Sequence, residues 1–238
     1  MQINNSTGER HMKRQLLTSC LAAAAIGIMI GGNLPAVAEE IRIPGDLPAQ
    51  CEHCSLDGRL ATTVRVGQPA PDFSLEAVVG ITAGKEFQQI SLQDFRGKWL
   101  VLFFYPADFT FVCPTEIRGF NESLTSFRTL NAELLGVSTD SKWSHLAWIK
   151  RGDLGDLKYP LLADFNKVTA RKYNVLDFQT GAALRGLFII DPKGVLQYQV
   201  VHNADVGRSV DETLRVLEAL QSGGLCPLGW KPGQKTLH

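Results

Sequence analysis

The run Trp99-Leu100-Val101-Leu102-Phe103-Phe104-Tyr105 constrains this chain more than any other segment. A short, unbroken stretch of aliphatic and aromatic side chains reads as a strand buried on both faces. Shortly after it, Cys113 precedes a polar-apolar mixture, Ile117–Leu130, that reads as a helix, so Cys113 stands where a strand hands over to a helix. Helix N-termini present unpaired N–H groups and a partial positive charge. Both favour a thiolate over a thiol, and the thiolate is the reactive form of cysteine. The position argues for chemistry at sulfur. The plain alternative is a buried, inert cysteine, the commoner fate of a single one.

The rest of the chain fits an α/β domain. Phe73–Val79 and Trp99–Tyr105 are expected strands, Cys113–Asn131 a helix and Glu133–Val137 a strand. Ser144–Arg151 is expected as a short helix, and Ala163–Tyr173 as another with Asp164 placed to cap it. Leu184–Ile190 and Val195–His202 are expected strands joined by the turn Asp191-Pro192-Lys193-Gly194. Ser209–Leu220 is expected as a helix, with Ser209 as N-cap, Glu212 at the capping-box position and Gly223-Gly224 past its end. With 238 residues, 45% of them hydrophobic, the chain has material for one full core plus a leader and a tail. It carries 24 basic and 24 acidic side chains with no basic block outside the leader, so nucleic-acid binding has no electrostatic support.

The N-terminus has the layout of a targeting segment. Arg10, Lys13 and Arg14 form a basic region, Leu16 to Ile30 an apolar one, and Ala36-Val37-Ala38 a cleavage site before Glu39. Met12 is an alternative start. Residues 1–38 are therefore expected as a signal peptide for export, to the periplasm; the alternative is an uncleaved membrane tether. Removal would leave 21 basic and 23 acidic residues and four cysteines, Cys51, Cys54, Cys113 and Cys226. Residues 39–64 read as a linker. Its Cys51-Glu52-His53-Cys54 spacing suits a local disulfide, an accessory redox pair or half a zinc site. Zinc is disfavoured because no second such pair follows.

The string Phe103-Phe104-Tyr105-Pro106-Ala107-Asp108-Phe109-Thr110-Phe111-Val112-Cys113-Pro114-Thr115-Glu116 resembles the peroxidatic signature of typical two-cysteine peroxiredoxins, of the AhpC/TSA type. The resemblance extends from about Arg65 to Leu237. It takes in Arg65–Phe73, Gly136–Asp140, Ser144–Trp148, Arg185–Pro192, Gly207–Thr213, Leu225-Cys226-Pro227 and Gly229–Gly233. It implies a thioredoxin-like fold over residues 65–222, followed by a C-terminal resolving arm, 223–238. It also implies a thiol peroxidase that reduces hydrogen peroxide and alkyl hydroperoxides without metal, haem or flavin. Oxidised Cys113 would be a sulfenic acid, condensed by Cys226 from the partner subunit of a homodimer, in a ring of dimers by family habit. A thioredoxin-like reductant would complete the cycle.

The same resemblance implies roles around Cys113. Thr110 would hydrogen-bond peroxide and sulfur, a residue type that also suits N-capping. Pro106 would shield the thiolate, though a proline also simply ends a strand. Arg185 would present a cation to sulfur and peroxide, since a fixed guanidinium favours the charged form of a thiol. Glu116 and Arg208 would form a supporting polar network. Two departures from the family stand out. The run Leu220–Leu225 before Cys226 is short, and no Tyr-Phe helix follows Trp230, while Gly152-Asp153-Leu154-Gly155 only partly matches the companion Gly-Gly-Leu-Gly motif. Resistance to overoxidation is the expected consequence. Two other functions stay open: an exported thiol-disulfide oxidoreductase, disfavoured because Pro114, Thr115 and Glu116 follow Cys113 with no second cysteine, and a ring-forming holdase chaperone.

Overall fold

The computed structural model describes residues 64–237. The leader, the linker and the Cys51/Cys54 pair lie outside them. Strand β3 (Trp99–Phe104) is the spine of the fold. It runs parallel to β4 (Ala132–Ser138) on one side and antiparallel to β6 (Arg185–Ile190) on the other. Side chains alternate across a strand. Leu100, Leu102 and Phe104 enter one core, and Val101, Phe103 and Tyr105 enter a second core on the opposite face. An all-apolar strand is thus buried twice, the pattern its sequence announces.

The sheet is completed by β1 (Ser74–Val78), β2 (Phe87–Ser91), β5 (Leu161–Ala163) and β7 (Leu196–His202), in the order β2-β1-β5-β4-β3-β6-β7. Helices α1 (Cys113–Glu122), α2 (Leu124–Thr129) and α5 (Val210–Ser222) contribute to the core that contains Cys113. Helix α3 (Lys142–Arg151) adds Trp148 to it. The short α4 (Val168–Lys172) packs into the other core through Ala170. Among the described residues no helix is long and apolar enough to cross a membrane.

Several expectations need correction. The single helix over Cys113–Asn131 is two helices, broken at Ser123, where the backbone turns to φ −95° and ψ 4°. The buried positions Ile117, Phe120, Leu124 and Phe127 keep a 3-4-3 spacing straight through the break, so the periodicity hides it. Ala163–Tyr173 divides into the end of β5, a loop, and α4. Asp164 does receive helix N–H groups, Thr169 at 3.0 Å and Ala170 at 2.6 Å, but from ahead of the helix. Strand β2 went unseen because Phe87-Gln88-Gln89-Ile90-Ser91 is a mostly polar edge. Ser209 caps α5 by accepting the Glu212 N–H at 3.1 Å, but the Glu212 carboxylate turns to Arg215 instead of closing a capping box.

Candidate active site

β3 ends at Phe104, and residues 105–112 carry the chain to Cys113, the first residue of α1. Val112 is the N-cap residue and no side chain caps the helix, so Thr110 does not take the capping role. The Thr110 hydroxyl donates to the Ala107 carbonyl at 2.9 Å, closing the loop on itself. Pro106 and Thr110 are half-buried, and the Cys113 side chain is fully buried, at 0% exposure.

Three charged residues converge beside that sulfur. Arg185 opens β6, antiparallel to β3, so it starts at the end where β3 stops. Its Nη1 lies 3.4 Å from Cys113 Sγ and donates to Glu116 Oε2 at 2.6 Å, while its Nε donates to the Ala204 carbonyl at 2.6 Å. Glu116 sits in the first turn of α1, where a carboxylate suits the helix dipole. Arg208 donates to the same carboxylate from Nε at 2.7 Å, from Nη2 at 2.9 Å and from its backbone N–H at 2.8 Å. Its Nη1 donates to the carbonyls of Phe104 at 2.8 Å and Gly186 at 2.6 Å, tying the cluster to the two central strands. Gly186 has to be glycine here: a Cβ would fall 2.6 Å from Val175 and 2.9 Å from the Phe188 ring. Burial opposes ionisation of Glu116. The Arg208 hydrogen bonds and charge, with Arg185 behind them, outweigh it and hold the carboxyl below its ordinary range.

A second polar network anchors the middle of the loop. Buried Asp108 accepts from the Tyr105 hydroxyl at 3.0 Å and the Ser144 hydroxyl at 2.6 Å, and lies 2.8 Å from His145 Nδ1. The other ring nitrogen of His145 faces the Leu162 carbonyl at 3.2 Å. The Asp108 N–H donates to Asp140, whose carboxylate also takes the Ser138 hydroxyl. Burial, then the charge and hydrogen bond of Asp108, push the Tyr105 phenol well up, so it stays a donor. Sequence reasoning missed this network. Its only signals were a buried-pattern Asp in the loop and a His on α3, 37 residues apart.

Cys226 lies apart from these groups. α5 ends at Gly223 in the left-handed conformation (φ 67°), and the chain folds back so that Leu237 N–H meets the Leu225 carbonyl at 2.7 Å. Trp230 is the one buried side chain among the arm's described residues, its indole N–H on the Gln234 carbonyl at 3.1 Å and its own carbonyl on Arg215 at 3.1 Å. Cys226 Sγ is 3.5 Å from Ser222 Oγ, 3.7 Å from the Ala219 carbonyl and 3.8 Å from that of Gly224. It lines an open cleft of about 390 Å³ with Arg215, Ala219 and Leu228. Cys113 and Cys226 form no disulfide within the chain. Among the described residues no three His, Cys, Asp or Glu side chains gather as a metal site would require.

A cysteine at a helix start, faced by a guanidinium on a mixed α/β sheet, places the chain among thioredoxin-like proteins that do thiol redox chemistry. The AhpC/TSA family model matches residues 66–199, and the chain belongs to that family: it is a peroxiredoxin, a thiol peroxidase. The chloroplastic 2-Cys peroxiredoxin BAS1 of Hordeum vulgare is 52% identical over 181 residues, which cover 72% of this chain and 84% of that protein. The reduced 2-Cys peroxiredoxin of Plasmodium vivax superposes with a TM-score of 0.67 at 42% identity, covering 72% of this chain and 91% of that one. AhpC of Mycobacterium tuberculosis gives a TM-score of 0.65 at 39% identity over 71% of this chain and 99% of that one.

Proposed function

We propose that Cys113 is the peroxidatic residue and Cys226 the resolving one. The observation that carries this reading is the Arg185 Nη1 held 3.4 Å from a fully buried Cys113 sulfur. The sulfur of a Cys113 thiolate attacks the near oxygen of hydrogen peroxide or an alkyl hydroperoxide. The O–O bond breaks, hydroxide or alkoxide leaves and takes a proton to become water or alcohol, and Cys113 becomes a sulfenic acid. Arg185 supports the anion before the step and the charge moving onto oxygen during it. Thr110 orients the peroxide in line with the sulfur and Pro106 limits the approach of water. Glu116 and Arg208 hold Arg185 in place.

The Cys226 thiol of a second subunit then condenses with the sulfenic acid, forming a disulfide and releasing water. A disulfide needs Cα atoms about 4.4–6.8 Å apart. Every polar neighbour of Cys226 here belongs to the end of α5 or its own arm, and Cys113 is sealed, so the turn that carries Cys113 has to open first. Two thiols of a thioredoxin-like donor then reduce the disulfide. The enzyme works as a homodimer or a ring of dimers. We also propose that residues 1–38 direct export and are removed, leaving residues 39–64 as a linker; the N-terminal sequence of the protein from the periplasmic fraction tests this.

The test of the cycle is intact mass and non-reducing gel migration of the pre-reduced protein after one equivalent of hydrogen peroxide. Wild type, Cys113→Ser and Cys226→Ser are compared. A fast covalent dimer in wild type, absent in both variants, is expected. A wild type whose Cys113 does not react overturns the reading.

A further inference from the structure

Phe109 is the third residue of Ala107–Val112, the segment that leads into Cys113, and its backbone is left-handed (φ 56°). For an aromatic residue with a Cβ that conformation is strained and persists only where surroundings impose it. Its flanks are tied down by the Asp108 N–H on Asp140 and by the Thr110 hydroxyl on the Ala107 carbonyl. The ring adds a restraint of its own. Phe109 is 44% exposed, yet one side packs on buried Trp148, centroids 5.8 Å apart, and the Arg151 guanidinium sits 4.8 Å from its centroid.

Both of these partners are held by one carboxylate. Asp153 accepts the Trp148 indole N–H at 2.8 Å and the Arg151 Nε at 2.9 Å, and a second Arg151 nitrogen contacts its other oxygen. The fork-on-fork pairing fixes the plane of the guanidinium. Arg118 on α1 adds a further positive charge near Asp153. Asp153 is the residue by which Gly152–Gly155 departs from the glycine-rich pattern its neighbourhood resembles.

The geometry points to Asp153 as a positioning residue that, through Arg151 and Trp148, clamps the Phe109 ring and so sets how readily the peroxidatic loop opens. The inference rests on the two-cysteine reading above, in which the closed loop serves the peroxide step and the open loop serves disulfide formation. A clamp that favours the closed form speeds the first step and slows the second. Loosening it moves the two rates in opposite directions, which general destabilisation does not do.

The experiment is a stopped-flow measurement, on the pre-reduced full chain, of Cys113 oxidation by hydrogen peroxide and of the disulfide formation that follows. Arg151→Met and Asp153→Asn are expected to slow the first and quicken the second, moving the ratio of the two rates by about two- to five-fold, the scale of an exposed cation–aromatic contact. Arg151→Lys keeps a cation over the ring and is expected to restore most of the difference. In a Phe109→Leu background, Arg151→Met is expected to have no further effect. Variants that match wild type in both steps, or that slow both together, overturn the clamp while leaving the two-cysteine cycle standing. A wild type that forms no Cys113–Cys226 disulfide overturns that cycle, and the clamp with it.

Discussion

The two cysteines of the described chain sit in opposite kinds of surroundings. Cys113 is fully buried beside Arg185, part of a carboxylate and two guanidiniums whose hydrogen bonds reach into the central strands. Cys226 is half-buried on a folded-back arm, touched by one hydroxyl and two carbonyls at 3.5–3.8 Å and pinned mainly through Trp230. In the proposed cycle, the contrast suits one region to stability and chemistry and the other to reach. A thiol that must react first gains from a rigid, preorganised setting. A thiol that must travel gains from contacts weak enough to break.

The sharpest way to break this comparison is to remove the sulfurs. Cys113→Ser is expected to abolish peroxide consumption. Cys226→Ser is expected to keep one fast turnover per subunit and stop at an oxidised monomer, visible by intact mass. Next in size is Glu116→Gln, which leaves two buried guanidiniums with no counter-charge. A loss of about 3 kcal/mol is expected in denaturant unfolding, the low end for breaking a buried ion pair. It has a pH signature. The folded carboxyl is held below its ordinary value, so its stabilisation is complete above the ordinary carboxylate value of about 4.3 and fades as pH falls through the depressed one. Wild type should lose that stability in acid, and the variant should lack that part of the slope.

Trp230→Ala probes the other region. The Cys113–peroxide rate is expected to stay within about two-fold of wild type, while disulfide formation slows roughly ten-fold as the arm loses the large side chain that orders it. Stopped-flow traces of the two phases separate these. If both phases slow equally, the arm and the site are not independent. The smallest effect is expected for Ser209→Ala, which removes the α5 cap: about 1 kcal/mol, or a 2–4 °C fall in melting temperature.

The part of this organisation that sequence exposes is the part made by neighbours in the chain. An unbroken apolar run gives β3, a serine three residues ahead of a glutamate gives the start of α5, and a cysteine after a strand marks the start of α1. Arg185, Glu116 and Arg208 came only from resemblance, because no periodicity says that a strand start, a helix turn and a loop will meet. The Asp108–His145 contact, the Ala204 carbonyl on Arg185 and the Asp153 anchor went unread for the same reason. The break at Ser123 and the polar edge β2 were lost for another: each preserves or lacks the local pattern that would betray it.

The Arg185–Glu116–Arg208 cluster has a further consequence when counted as charge. Two guanidiniums and one carboxylate leave a buried site with one positive charge unmatched. A thiolate at Cys113 brings the group to electroneutrality. The sulfur of a sulfenic acid or a disulfide carries no charge and takes that balance away again. With a thiolate there, as the proposed peroxide step requires, the closed site is a neutral, mutually attractive set of four groups. A neutral sulfur leaves an excess cation in a poorly solvated place, and in the proposed cycle this favours opening at the step that brings in Cys226.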